Sequence, residues 1–124
     1  MPEQIVRLSV PARPDYARTV RMMAANLAVV CNMSVDDVED VRMAAEEGFV
    51  YSCATAPESC DVTFELSEAQ VRASFSLGAE PVDTGDDALG LAELLLSAVC
   101  DEHGLSDDGS ALVLVKRAGQ AYGE

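Results

Sequence analysis

Tryptophan is absent from this 124-residue chain, and aromatic residues make up only 5% of it. A core built from such a sequence has to be mainly aliphatic, drawn from Ala, Val, Leu and Met. Positive charge is also scarce: 8 basic residues stand against 22 acidic ones, a formal net charge of −14. Nonspecific binding to nucleic acid or to an anionic membrane needs positive surface, so neither is expected. The same field opposes a polyanionic nucleotide unless local groups or Mg²⁺ offset it. A basic protein partner fits it more easily, and solubility alone is the competing explanation. No run approaches the ~18 apolar residues that a membrane span needs. Pro2-Glu3-Gln4 is neither basic nor followed by a long apolar run, which predicts no secretory leader. The four cysteines, Cys31, Cys53, Cys60 and Cys100, form no Cys-x-x-Cys pair. The lone His103 lies near Cys100 only, so no zinc site is expected. Cys31, Cys53 and Cys100 sit in apolar helical stretches, where a reduced Cys acts as a small hydrophobe. These features predict a reduced, cytoplasmic protein.

The chain is 49% hydrophobic, enough for a core of its own and too apolar for disorder. Its length fits one domain, taken as residues 1–118, with residues 119–124 as a frayed tail. No repeat or low-complexity segment is present. Residues 5–10 alternate and read as a strand ended by Pro11 and Pro14. Pro14-Asp15 opens a helix whose apolar stripe runs through Val20, Met23, Ala24, Leu27, Val30 and Cys31. Arg18 and Arg21 point away from most of that stripe.

Asn32-Met33 breaks this helix, and Ser34 caps the next, with Asp36 and Asp37 in the first turn where the dipole favours anions. The second helix stops near residues 54–57. Gly48 inside it costs roughly 1 kcal/mol against Ala, which predicts a packing or close-approach reason for the glycine. Residues 60–66 and 71–77 alternate and read as an antiparallel hairpin. Residues 78–87 read as a loop or lid. Residues 88–100 are apolar at helical spacing, and Gly104 is expected to end that stretch. Asp107-Asp108-Gly109 is a turn before an apolar strand over residues 111–115. The order β-α-α-β-β-α-β predicts an α/β (α+β) two-layer sandwich, with helices on one face of a mixed or antiparallel sheet.

This order and several strings resemble the anti-sigma-factor serine kinases of the GHKL (histidine kinase-like) ATPase superfamily. The resemblance covers about residues 5–117 and implies the Bergerat-type ATPase fold. Ser34-Val-Asp-Asp-Val-Glu-Asp-Val-Arg-Met-Ala-Ala-Glu-Glu-Gly48 is similar to the long helix that opens the family's ATP site. Arg7-Leu-Ser-Val-Pro-Ala-Arg-Pro14 is similar to its first strand and turn, and Leu89-Gly-Leu91 and Gly109-Ser110 are similar to its later motifs. The family's helix carries Glu-x-x-x-Asn, the Glu as base and the Asn on Mg²⁺. The Glu position matches Glu47, and the Asn position is Tyr51. A phenol is a poor neutral ligand for Mg²⁺, and its ring would occupy phosphate space. Reading from Glu46 instead puts Val50 at the Asn position, so no shift restores the pair. The adenine-reading Asp-x-Gly is matched by Ser76-Leu77-Gly78: the glycine stays, and the carboxylate has become a hydroxyl. Asp83 or Asp86 could replace it. The glycine-rich lid is reduced to Ala88-Leu89-Gly90-Leu91, and Ser110 matches a hydroxyl residue kept near adenine.

Each of these residues also has a plainer reading. Glu47 is a solvated helix residue, Tyr51 a half-buried tyrosine, and Gly78 and Gly90 turn and packing glycines. The Asp36–Asp40 cluster is a helix start without calcium-loop spacing. His103 has no evident Ser or Cys partner in the sequence.

The leading expectation is a pseudo-kinase: a regulatory protein acting by protein–protein binding, with weak or absent ATP binding. No cofactor is then expected; ATP and Mg²⁺ enter only if the site is competent. By resemblance the partners are a sigma factor and an anti-anti-sigma antagonist, with homodimerisation implied on the same ground. The first alternative is an active serine kinase with variant ligands, for which Arg13, Arg42 and Arg72 but no motif lysine are on offer to phosphate. The second is a structural or small-molecule-binding domain on the same fold.

Overall fold

The computed structural model describes residues 4–80 and 87–119. Strand β1 (Gln4–Pro11) leads through a single 3-10 turn (Pro14–Tyr16) into helix α1 (Ala17–Val30). Asn32 ends that helix in the left-handed region, at φ 60°. The Ser34 side chain then accepts the Asp37 N–H at 3.1 Å and caps helix α2 (Val35–Ala54), as the sequence predicts. Strands β2 (Ser59–Ser67) and β3 (Gln70–Ser76) form the expected hairpin, followed by helix α3 (Asp87–Val99). The lid expected over residues 78–87 lies largely outside the described residues, and so do Asp83, Asp86 and most of the tail.

Two strands follow where the sequence predicts one. Strand β4 (Glu102–Leu105) pairs antiparallel with β5 (Ala111–Arg117) around the expected Asp107-Asp108-Gly109 turn. Gly104 therefore lies within a strand and does not end a helix; α3 stops at Val99. A four-residue strand whose only large apolar side chain is Leu105 carries no readable alternation, and it is defined by pairing with β5.

The sheet has the order β1-β2-β3-β5-β4, and each pair is antiparallel. The result is the two-layer α+β sandwich expected from the sequence. Helix α2 lies on β3 and β5 so closely that a Cβ on Gly48 would meet Phe75 Cε1 at 2.6 Å and Leu114 Cδ1 at 3.0 Å. That close approach is the reason a glycine stands inside the helix. Phe49, Phe64 and Phe75, all fully buried, form the centre, ringed by aliphatic side chains.

Lys116 ties α2 to β5. Its ammonium lies 3.0 Å from Asp40 and 3.7 Å from Asp37. Asp37, buried at 8% exposure, also accepts the Gly119 N–H at 2.8 Å. The acidic cluster thus starts the helix and also anchors β5. Gly119, expected to open a frayed tail, is held there.

Candidate functional site

Helix α2 presents Val41, Ala44, Ala45, Gly48, Phe49 and Ser52 to the interior. A hydroxyl on such a stripe needs a partner. Ser52 Oγ donates to the Ser76 carbonyl at 2.6 Å. One turn on, buried Thr55 donates to the Ser52 carbonyl at 2.6 Å and accepts the Gly78 N–H at 2.7 Å. The Glu80 N–H reaches the Thr55 carbonyl at 3.1 Å. The Ser76 hydroxyl accepts the Asp61 N–H at 2.8 Å. The segment leaving β3 is thereby strapped to the C-terminal end of α2.

Ser76 and Gly78 are brought together in this network. Ser110 joins it through its backbone, accepting the Leu77 N–H at 3.0 Å. Its hydroxyl, however, donates to Asp108 at 2.7 Å in the β4–β5 turn. The Ser110 backbone N–H, its hydroxyl and the Ser106 hydroxyl hold the Asp108 carboxyl down at about 2. Glu47 and Tyr51 lie one turn apart on α2, both half-buried, and Tyr51 packs against the core. It is Ser52, beside Tyr51, that reaches Ser76. Gly90 lies within α3, which packs on α2.

Ser52 and Thr55 are the polar residues that sequence reading passes over. The available signal is their spacing, which continues the buried stripe of Ala45 and Gly48 with hydroxyls.

Burial, and then the charge of Glu46, raises the Glu47 pKa above the ordinary carboxylate value. Glu46 itself pairs with Arg21 of α1 at 3.1 Å. The arginines named as phosphate ligands are dispersed and already paired: Arg13 with Asp15 at 2.8 Å, Arg42 with Glu39 at 2.6 Å, and Arg72 with Glu65 at 3.2 Å. Arg72 alternates with buried Val71 and Ala73, so it stands on the sheet face away from the helices. The three do not converge on one anion.

All four cysteines are free. Burial pushes each thiol up, Cys100 to about 11, which opposes thiolate chemistry. His103 does have a partner: Ser97 Oγ of α3 lies 3.1 Å from its Nε2. No described helix is long and apolar enough to cross a membrane.

No family model matches the chain, and no curated protein matches it. Among solved structures, it is similar to the RsbU and RsbW domains of Rv1364c from Mycobacterium tuberculosis. The identity is 21%, and the TM-score is 0.69 over 95% of this chain. The match spans 33% of that longer chain. The likeness shows a shared fold: this chain has the two-layer α+β architecture of part of that structure.

Proposed function

We propose that this chain is a regulatory binding protein of the anti-sigma-factor type, acting by contact with a protein partner, with weak or absent ATP binding and hydrolysis. The observation that carries this reading is the internal use of the polar groups in Ser76-Leu77-Gly78. The Ser76 hydroxyl accepts the Asp61 N–H, and the Gly78 N–H is held by Thr55. Ser76 offers no carboxylate to an adenine amino group, and Tyr51 offers no amide oxygen to Mg²⁺. The similarity to a structure containing an RsbW domain supports a sigma factor or its antagonist as the partner, and homodimerisation by the same analogy. Calorimetric titration with ATP and Mg²⁺ tests it. No binding heat at micromolar nucleotide is expected, and Tyr51→Asn is expected to raise nucleotide affinity. Micromolar binding by the unaltered chain would overturn the reading.

A second reading, an active serine kinase, is favoured by the raised pKa of Glu47, a property suited to a general base. It predicts transfer of labelled phosphate from ATP to a serine of an antagonist, abolished by Glu47→Gln. Absence of a labelled product excludes it.

A further inference from the structure

Strand β4 closes one end of the sheet order β1-β2-β3-β5-β4. One side of it pairs with β5; the other is unpaired among the described residues. Open edges are commonly blunted by proline, lysine, a bulge or a covering segment. Between Glu102 and Leu105 there is no proline or lysine, and Glu102 is the one charged residue. The opposite edge strand, β1, carries Arg7 and finishes on Pro11.

The two sides of β4 differ next to that edge: the helix side is apolar and the other side is mixed, with more polar than apolar groups. On the helix side, Leu105 is 56% exposed and Leu94 of α3 is 67% exposed. The contact between Ser97 and His103 seats α3 against β4 on this side of the sheet. Leu94 lies one turn before Ser97 on the same face of α3.

On the other side, the cross-strand row Ser74–Val113–Gly104 is short. The neighbouring row, Arg72–Val115–Glu102, carries long arms, and Val115 is 5% exposed. The step between the rows contributes to a groove of about 380 Å³, whose lining includes Val113, Gly104, Arg72 and Asp107. A Cβ built on Gly104 meets nothing within 4 Å, so this space is open.

The charge beside the edge is negative. Arg72 is paired with Glu65 and Arg117 with Glu102. Asp107 and Glu93 have no cationic partner among the described residues.

We propose that the β4 edge is a docking site for an extended segment of a partner protein, alternating apolar with Lys or Arg, which adds to the sheet as a sixth strand. Its backbone pairs with β4. Its apolar side chains then fall on Leu94 and Leu105 on the helix side, and the alternating cations fall on the groove side toward Asp107. A second copy of β4 does not suit the edge, because Glu102–Leu105 brings no Lys or Arg to Asp107. The inference goes beyond the reading above, since it requires neither nucleotide nor a sigma factor.

The test uses the intact chain and a displayed library of random twelve-residue peptides. Selected binders are expected to alternate apolar and basic residues and to protect the amides of Glu102–Leu105 from hydrogen exchange. Leu105→Lys should weaken them at least tenfold. Gly104→Val, whose Cβ enters open space and narrows the groove, should do the same while leaving the thermal midpoint within a few degrees. Three outcomes overturn the proposal. One is an absence of binders. Another is binders that are acidic, protect β1 instead, or ignore both substitutions. The third is a concentration-dependent dimer, seen by sedimentation, that Leu105→Lys dissolves.

Discussion

The Gly78 N–H donates to Thr55 Oγ1 at 2.7 Å, and a Cβ on Gly78 would stand 2.1 Å from the Thr55 carbonyl oxygen. One residue pair thus supplies both a hydrogen bond and a steric requirement for glycine. Gly78→Ala has to displace the backbone of the α2 terminus and should destabilise by about 1–3 kcal/mol. Thr55→Val keeps the shape but orphans the Gly78 N–H, at about 1–3 kcal/mol, whereas Thr55→Ser should retain most of the stability. Urea titration of the three variants checks the order.

Gly48→Ala tests two opposed effects. Alanine gains roughly 1 kcal/mol of helix propensity over glycine. Its Cβ would also lie 2.6 Å from Phe75 Cε1 in a close-packed core, and overpacking costs about 1–3 kcal/mol. The net expectation is a lower thermal midpoint. Phe75→Leu alone should destabilise as well, but adding Gly48→Ala to it should be neutral or favourable. A double-mutant cycle should therefore give a coupling above about 0.5 kcal/mol.

Lys116→Met leaves Asp37 and Asp40 without their cation and should cost about 1–3 kcal/mol, a range reduced from that of a fully buried pair by partial exposure. Burial alone would lower the Lys116 pKa; the Asp40 hydrogen bond and the charges of Asp40, Asp101 and Asp37 together outweigh it and raise the value above 10.5. The stabilisation is therefore complete below pH 10.5 and is lost as pH rises through the higher folded value. Asp108 has the opposite sign. Its folded pKa of about 2 lies below the ordinary 3.8, so its contribution is present above pH 3.8 and fades toward pH 2. Asp108→Asn should flatten that part of the acid limb, and Lys116→Met should flatten the alkaline one. Stability measured against pH separates them.

Glu47→Gln should stabilise the fold near pH 7. Burial and Glu46 raise the Glu47 pKa, so ionising this carboxyl costs more in the folded chain than in the unfolded one. The difference between variant and parent should disappear at low pH, where both side chains are neutral. Thermal scans at pH 7 and pH 3 check the sign.

The amphipathic stripe of α1, the Ser34 cap and the alternation of β2 and β3 are local patterns, and the sequence shows each of them. Strand β4 is not legible, because four residues with one exposed leucine carry no period. Gly48 is legible as an anomaly, although its cause, the Phe75 ring, lies 27 positions away. The candidate site divides in the same way. Glu47 and Tyr51 share a helix face by their spacing of four, which any reader of the sequence can see. The link from Ser52 and Thr55 to Ser76 and Gly78 joins segments 23 and 24 residues apart. Only the seating of α2 on the sheet makes it.

By itself the sequence determined the aliphatic core, the acidic surface and the succession of its longer elements. Those properties follow from composition, capping and hydrophobic period, and all of them act over a few residues. Tertiary structure alone decided which polar groups are already spent on one another. It also decided that Lys116 holds Asp37 and Asp40, and that β4 lies at one edge of the sheet, unpaired on its outer side among the described residues. Each of these depends on which distant segments pair, which is set by the burial of one shared core.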